Sequence, residues 1–446
     1  MPNDFIEAKE LLNHVGPGTP LGTLLRRYWI PAMPSSELPD PWAAPVRVKL
    51  LGEPLVAYKD TTGRIALLQE FCAHRRASLF FGRNESEQSP DGQCGLRCPY
   101  HGWKYDVTGQ CIDMPNEPPT SRFKDHVQLT SYPAVDRGGI IWTYMGPAEQ
   151  MPGLPELEWS VVPDEQRYIS RRLEHVAFTQ AVEGGIDSSH ASFLHADGQL
   201  WSGYGPNNIG ATARASSEMN LMTADTAPRF FIEPTEYGLL IGARRNTPDS
   251  KYYWRITQFV MPWYSFIPGG GGGGPISGHA WVPIDDNTSW TWSMTYHPDR
   301  ALTKKERESC EGGHGIHVRL LPGTELPAQN AGNDYEVDRL MQKHMLSLSG
   351  IDGTGAQDQA MQESMGAQFD PGQEQLGSSD SAIIAFRRRL IAETRALAAG
   401  TAEDPSSLDP RVHRVRSAAV VLTQSESWIE ATSEQRKAVS RHYVEV

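Results

Sequence analysis

The sequence predicts an α+β chain in two unequal parts: a small antiparallel β domain, then a larger domain built on an antiparallel sheet flanked by helices. Three observations predict it. Short β-type runs separated by Gly, Asp and Asn fill residues 46–150, helix-period stretches alternate with longer strand-like runs after residue 151, and a proline-rich joint, MPGLPELEWSVVP, lies between them. A chain of 446 residues exceeds one small core. Its 41 Gly and 33 Pro, beside plentiful aromatics, point to many turns rather than to disorder.

Taken in order, residues 1–45 hold two apolar-periodic stretches, EAKELLNHVG, ended by Gly16 and Gly18, and LGTLLRRYWIPAM, and are expected to form a helical segment packed on the larger domain. VRVKLLGEPLVAYKD, RIALLQEF and GGIIWTYMG then read as hairpin-linked strands of the first domain, 46–150. In the second domain, 151–446, EHVAFTQAVEGGIDSSHASFLH is helix-like, while GLLIGARR, YYWRITQFVMP and TSWTWSMTYHP are strand-like. SSDSAIIAFRRRLIAETRALAAG is a helix with Ser378, Ser379 or Asp380 as cap, Ile383, Ile384, Leu390 and Ile391 as its apolar face, and Gly400 as its stop. The glycine run 269–274 matches no phosphate-loop pattern and is expected to be a flexible loop.

Acidic residues outnumber basic ones 54 to 41, a formal charge of -13 that repels nucleic acid and anionic lipid. No apolar run nears the roughly 20 residues of a membrane helix, and the N-terminus lacks the basic-then-apolar order of a signal peptide, so a soluble cytoplasmic protein is expected. Of five cysteines, Cys72, Cys94, Cys98 and Cys111 fall within forty residues, which argues for metal chemistry over a disulfide framework.

Cys72-x-His74 and Cys98-x-x-His101 sit on two separate loops. Two thiolates and two imidazoles suit either a tetrahedral zinc or an iron–sulfur centre in which two His replace two Cys, and spacing leaves both open. Gly82, Gly95, Gly102 and Trp103 fit two glycine-bearing tips around a compact cluster and favour iron–sulfur. CAHR…CPYHGWKYD resembles the Rieske motif, and LLRRYWIPAM resembles the start of the phthalate dioxygenase-like branch of the Rieske non-haem iron oxygenases, a likeness that spans the whole chain. The resemblance implies a [2Fe-2S] cluster with Cys72 and Cys98 on one iron and His74 and His101 on the other, in a Rieske domain followed by a helix-grip-like catalytic domain. The interval between the pairs is longer than the family pattern, with ESEQSPDGQ as a polar insertion at a hairpin tip, where added length costs little closure entropy. Cys94 and Cys111 match no ligand position. An imidazole-ligated cluster has a raised potential and serves as an electron relay, which requires a terminus.

EGGIDSSHASFLH offers that terminus. His190 and His195 stand five residues apart, about 140° from each other on an ideal helix, so a turn near Ser192 is needed before both can reach one metal. Asp187-x-x-His190-x4-His195 matches the family arrangement, and GAQDQAMQESMG resembles the segment that supplies a third ligand, Asp358, with Asp352 as a turn-forming competitor. The resemblance thus implies Fe(II) held by His190, His195 and Asp358, with positions left for O2. It also implies that Asp187 bridges His190 and a Rieske His, His101 being preferred, of a neighbouring subunit in a homotrimer or a hexamer; a helix cap is the plain reading of the same residue. Gln180 and Glu183 precede on the same element as supporting candidates.

The family oxidises aromatic acids and aryl ethers, so a small aromatic substrate is implied. Arg244 and Arg245 alternate across a strand, and an inward Arg244 would grip a carboxylate. Phe259, Trp263, Tyr264 and Phe266 are candidate walls or plain core. Ring dioxygenation of a phthalate-like acid and O-demethylation of a methoxylated acid both follow from such an iron. A bare electron carrier, or a zinc hydrolase on two His and a carboxylate, are the readings from other classes. The sequence lacks a flavin or nicotinamide motif, so NAD(P)H electrons must arrive through a separate flavin and iron–sulfur reductase, and the negative charge favours a partner with a locally positive face.

Overall fold

A computed structural model describes residues 2–196, 217–269, 273–368, 370–403 and 407–443. Two helices, Pro2–Asn13 and Pro20–Leu25, open the chain and pack on the helix Ser381–Ala398. The Thr19 side chain caps the second. The expected helical segment ends there. Trp29–Pro34 is a strand, β1, because Pro31 cannot continue a helix and Trp29, Ile30, Ala32 and Met33 are all buried. The first domain therefore begins inside residues 1–45.

Its six-stranded antiparallel sheet has the order β1, β10 (Ile140–Tyr144), β9 (Ser131–Arg137), β4 (Ile65–Gln69), β3 (Glu53–Lys59), β2 (Val46–Leu50). A smaller sheet, β5 (Arg83–Glu85), β6 (Gly95–Arg97), β7 (Lys104–Tyr105) and β8 (Cys111–Asp113), lies over it. Between them Val56, Leu68, Leu79, Leu96 and Leu129 form an apolar core that also holds Cys72 and Cys98.

The joint is packed rather than free. Trp159, on the short helix Glu158–Val161, stacks on Trp142 of β10 with ring centroids 5.7 Å apart. The second domain's antiparallel sheet runs β11 (Arg167–Glu174), β17 (Ser289–Tyr296), β16 (Ile276–Pro283), β15 (Tyr264–Ile267), β14 (Tyr252–Val260), β13 (Gly238–Asn246), β12 (Arg229–Thr235), with β18 (Ala418–Leu422) also paired to β14.

Strand alternation gives this sheet two different faces. On the outer face, Arg171 stacks on Trp290 and Trp292 and reaches Ala32 and Glu37, tying the first domain down. On the inner face, Trp281 lies against Gly185 of the helix Phe178–Ile186, and Phe259 meets Phe386 of the helix Ser381–Ala398 edge-on. That last helix buries Ala382, Phe386 and Leu390, whereas Ile383, Ile384 and Ile391 are only partly covered. Of the glycine run, residues 270–272 lie outside the described residues. No helix among the described residues is long and apolar enough to cross a membrane.

Candidate functional site

The two Cys/His loops share one hydrogen-bond pattern. Cys72 N–H donates to Ala77 and Arg76 N–H returns to the Cys72 carbonyl, both at 2.9 Å; Cys98 N–H donates to Trp103 at 2.8 Å and Gly102 N–H returns to Cys98 at 3.1 Å. Gly102 takes φ +81°, and a methyl group there would stand 2.6 Å from the Pro115 ring, so the second loop needs glycine. Both cysteines are buried while His74 and His101 stay partly exposed, their ring centroids 4.4 Å apart. His74 stacks on Trp103 at 4.6 Å. The Tyr105 hydroxyl accepts from Ala73 N–H at 3.2 Å, which turns its own proton toward Cys72 Sγ, also at 3.2 Å. Cys94 instead faces Thr61, and Cys111 the carbonyl of Asp113. Two buried sulfurs under two outward imidazoles fit the metal–thiolate, metal–imidazole division of a [2Fe-2S] centre.

The second constellation forms where a helix stops. Gly184 and Gly185 let Phe178–Ile186 approach its neighbours: a methyl group at Gly185 would stand 2.2 Å from the Trp281 ring, and one at Gly184 2.4 Å from the Gln362 amide. The helix then ends at Asp187, in extended backbone, and a single 3-10 turn, His190–Ser192, follows. The helix-like run thus does not continue to His195. The turn swings both imidazoles to one side, with Nε2 atoms 3.2 Å apart.

Asp358, on the helix Thr354–Ser364, brings Oδ1 to 3.1 Å from His195 Nε2 and 3.6 Å from His190 Nε2. Asp352 is exposed in the turn ahead of that helix and is not part of the group. The far nitrogens settle the tautomers. His190 Nδ1 faces Asp187 Oδ2 at 3.2 Å, and His195 Nδ1 faces Gln357 Oε1 at 2.8 Å, whose amide is fixed by its own bond to Ile351. Both Nδ1 atoms therefore carry the proton, and two Nε2 lone pairs and a carboxylate oxygen crowd one point. That arrangement calls for a cation. Two imidazoles and one carboxylate suit Fe(II) with open positions, and zinc accepts the same donors. Sequence reasoning missed Gln357; its only signal was adjacency to Asp358.

Asp187 also accepts from the backbone N–H of Ser189 at 2.6 Å and of His190 at 3.2 Å. Burial alone would raise its carboxyl, but the His190 contacts and those two N–H groups hold it below the usual range. Among the described residues, no hydrogen bond joins Gln180 or Glu183 to the three converging side chains. Both line, with Asp187, His190 and Asp358, a cavity of about 980 Å³. Burial holds Glu183 up at about 6 against the pull of Arg387, which grips it at 2.6 and 2.7 Å and also pairs with Glu374.

The substrate candidates are redistributed. Arg244 lies on the outer face, over the Tyr252 ring at 4.0 Å and Phe231 at 5.4 Å, and cannot grip a ligand beside His190. Arg245 is the inward one. It is fully buried and donates to Ser188 Oγ at 3.2 Å, Ser188 O at 2.6 Å and Ser192 Oγ at 3.0 Å, on either side of His190. Burial and a second cation, Arg255, press its guanidinium down to about 10. Arg255 pairs with Ala243 across β13 and β14, hence on the same inner face; burial, and more weakly the Arg255 charge, work against protonation of His195, which Asp358 and Gln357 nonetheless hold above its usual range. The Nε of each arginine is buried, and among the described residues it has no hydrogen-bond partner. Arg255 was missed; parity with the inward Arg245 was the signal. Tyr264 and Phe266 fall on the outer face, Phe259 packs on Phe386 and Trp263 is fully buried, so none lines the cavity at His190.

Comparison with known proteins follows the same division. The Rieske [2Fe-2S] domain family matches residues 28–133, and the family described as LigXa C-terminal domain like matches residues 143–445. The chain is 35% identical to the 3-chlorobenzoate-3,4-dioxygenase oxygenase subunit of Comamonas testosteroni, over 87% of this chain and 88% of that protein. It is 35% identical to the phthalate 4,5-dioxygenase oxygenase subunit of Pseudomonas putida, over 88% and 87%. Against the 5,5'-dehydrodivanillate O-demethylase oxygenase subunit of a Sphingobium species it is 30% identical, over 92% and 84%. Dicamba monooxygenase bound to dicamba shares the fold, with a TM-score of 0.56 at 16% identity over 84% of this chain and 99% of that one.

Proposed function

The chain belongs to the Rieske non-haem iron oxygenases, in the branch of the phthalate dioxygenase oxygenase subunits, and from that membership we propose that it dihydroxylates the ring of an aromatic carboxylate held by Arg245 and Arg255. It is the terminal oxygenase of a system that takes electrons from a separate reductase and uses O2, a [2Fe-2S] cluster and a mononuclear iron. One observation carries the substrate class. Two buried arginines share the inner sheet face, Arg245 bonded to the residues flanking His190; neither lines the cavity of about 980 Å³, and among the described residues the Nε of each has no partner. Their mutual repulsion is relieved by an anion, and a planar carboxylate matches a guanidinium bidentately.

When bound, the cluster supplies electrons one at a time and the iron supplies a site for O2. His190, His195 and Asp358 hold that iron; Asp187 and Gln357 fix the tautomers that make the two histidines ligands. Net addition of O2, two electrons and two protons gives a cis-dihydrodiol.

The electron route runs between copies. In one chain the first domain packs on the outer face of the large sheet, while His190 and Asp358 lie on its inner side, so the sheet stands between the two metals. Asp187 of one copy then meets His101 of the next. The exposed apolar residues divide to match. Tyr100 and Phe123 stand at the cluster tip, 58% and 50% exposed, while the exposed Met361, Met365 and Leu376 line the Asp187 cavity. Two different patches on one chain make head-to-tail contacts that close into a ring, here a homotrimer or a stacked pair of them.

The test is a single turnover of reduced, iron-loaded protein with isotopically labelled O2 and a panel of phthalates, hydroxybenzoates and methoxybenzoates. A dihydrodiol with both labelled atoms supports the reading. Formaldehyde with a phenol would replace it by O-demethylation, and cluster oxidation without product from any acid would remove the role given to Arg245 and Arg255.

A further inference from the structure

The polar segment 85–93 is longer than a hairpin tip requires, and it folds onto the strand that leaves the second Cys/His loop. Lys104, on β7, is fully buried. Its ammonium donates to Asp91 at 2.8 and 2.9 Å and to the Gln93 carbonyl, and lies 3.1 Å from Glu85. Arg97, one residue before Cys98, is the other cation of the group. Its Nε donates to Glu85 at 2.8 Å, Nη2 to Asp91 at 2.9 Å and Nη1 to Asp113 at 2.7 Å. Nη1 also donates to the carbonyl of Gly102, the residue after His101. The segment thus contributes two carboxylates, Glu85 at its start on β5 and Asp91 in the turn itself, and each touches both cations. Burial would raise Asp91 and Glu85, but the surrounding Lys and Arg groups keep both below the usual carboxylate range.

Without Asp91, Glu85 and Asp113 would be left to face Arg83, Arg97 and Lys104, two carboxylates for three cations, and the fully buried Lys104 would keep Glu85 as its only carboxylate among the described residues. Glu85 is then drawn toward the uncompensated Lys104, and Arg97, having lost its Asp91 contact and part of its hold on Glu85, holds the Gly102 carbonyl less firmly. Gly102 has a left-handed backbone and no side chain; its N–H closes the loop on the Cys98 carbonyl, and Arg97 holds its carbonyl, in the peptide that leads to Trp103.

We propose that Asp91 is a positioning residue for electron transfer: through Arg97 and Lys104 it clamps the Cys98–Trp103 loop and holds the His101 imidazole in the orientation that Asp187 of a second copy meets. The proposal rests on the reading of His101 as the exit ligand. The insertion is then a working part of the electron route.

The experiment compares wild-type, D91N and D91E holoprotein, with Asp187→Asn in parallel. Three quantities are read: cluster content, hydrogen exchange of the 98–103 amides, and the rate of cluster oxidation in a single turnover. D91N is expected to keep its cluster, to exchange Gly102 and Trp103 amides about tenfold faster, and to oxidise the cluster about tenfold more slowly, the scale of one charge-assisted hydrogen bond lost. D91E, which keeps the charge, is expected to recover most of both. Unchanged exchange in D91N overturns the clamp. Faster exchange with wild-type cluster oxidation, beside a slow Asp187→Asn, overturns the positioning role alone; a fast Asp187→Asn overturns the exit route itself. If D91N loses its cluster, the D91N/K104M pair removes the buried cation with its partner and tests the Arg97–Gly102 link in a neutral setting.

Discussion

Replacing Tyr105 by Phe removes one hydrogen bond from one sulfur and should lower the potential of the Rieske cluster. The geometry makes the direction unambiguous. Ala73 N–H occupies the Tyr105 oxygen as donor, so the phenol proton has Cys72 Sγ as its acceptor, 3.2 Å away in a buried core. The reduced cluster carries one more negative charge, and a donor to a ligand sulfur stabilises it more than the oxidised form. A differential of about 1.5 to 3 kcal/mol, the range of hydrogen bonds to charged groups, corresponds to about 65 to 130 mV for one electron. Redox titration of Y105F followed by the cluster's EPR signal measures the shift. The ring stays in place, so packing changes little, although Ala73 N–H loses its acceptor. A midpoint potential unchanged within about 10 mV, or raised, would refute the assignment of Cys72 as a cluster ligand receiving that proton.

Arg255→Gln and Arg245→Gln should each lower kcat/KM for a carboxylate substrate by about 30- to 100-fold, mostly through KM, and much less for its carboxamide; steady-state kinetics on the acid and amide pair decides. Asp187→Asn should retain both metals yet slow cluster oxidation in single turnover, read by stopped flow against metal analysis. Gln357→Ala frees the His195 tautomer and should weaken iron binding by about 10- to 100-fold while leaving the cluster spectrum intact, as a chelator titration would report. Gly185→Ala forces a methyl group against the Trp281 ring and should cost about 1 to 3 kcal/mol of stability, a loss visible in the denaturant midpoint.

What the sequence disclosed depended on the range of the interaction. The Cys72 and Cys98 pairs are local: each sits in a loop closed over five or six residues, so spacing reports geometry. The turn required between His190 and His195 was deducible from helical rotation, though not its starting point at Asp187, which the extended backbone there sets. Parity was the weak link. Nothing local states which of Arg244 and Arg245 faces the helices, and a one-residue slip exchanges the faces, which misplaced Arg244 and hid Arg255. β1 was hidden in an apolar-periodic run because burial on β10, more than a hundred residues away, outweighs local helical preference. The contacts of Asp91 with Arg97 and Lys104 cross a turn that composition marks only as polar.

The sheet that separates cluster from iron within each chain has a genetic consequence. On the proposed route between copies, a chain with a damaged iron ligand can still lend its electrons to a neighbour, and a chain with a damaged cluster can still host substrate. Two individually dead alleles expressed together should complement, and random mixing in equal amounts should restore about a quarter of the wild-type sites, since each needs a sound iron from one chain and a sound cluster from the next. Defects confined to one metal are then recessive in mixed assemblies, while damage to the surfaces that join the copies silences both partners at once.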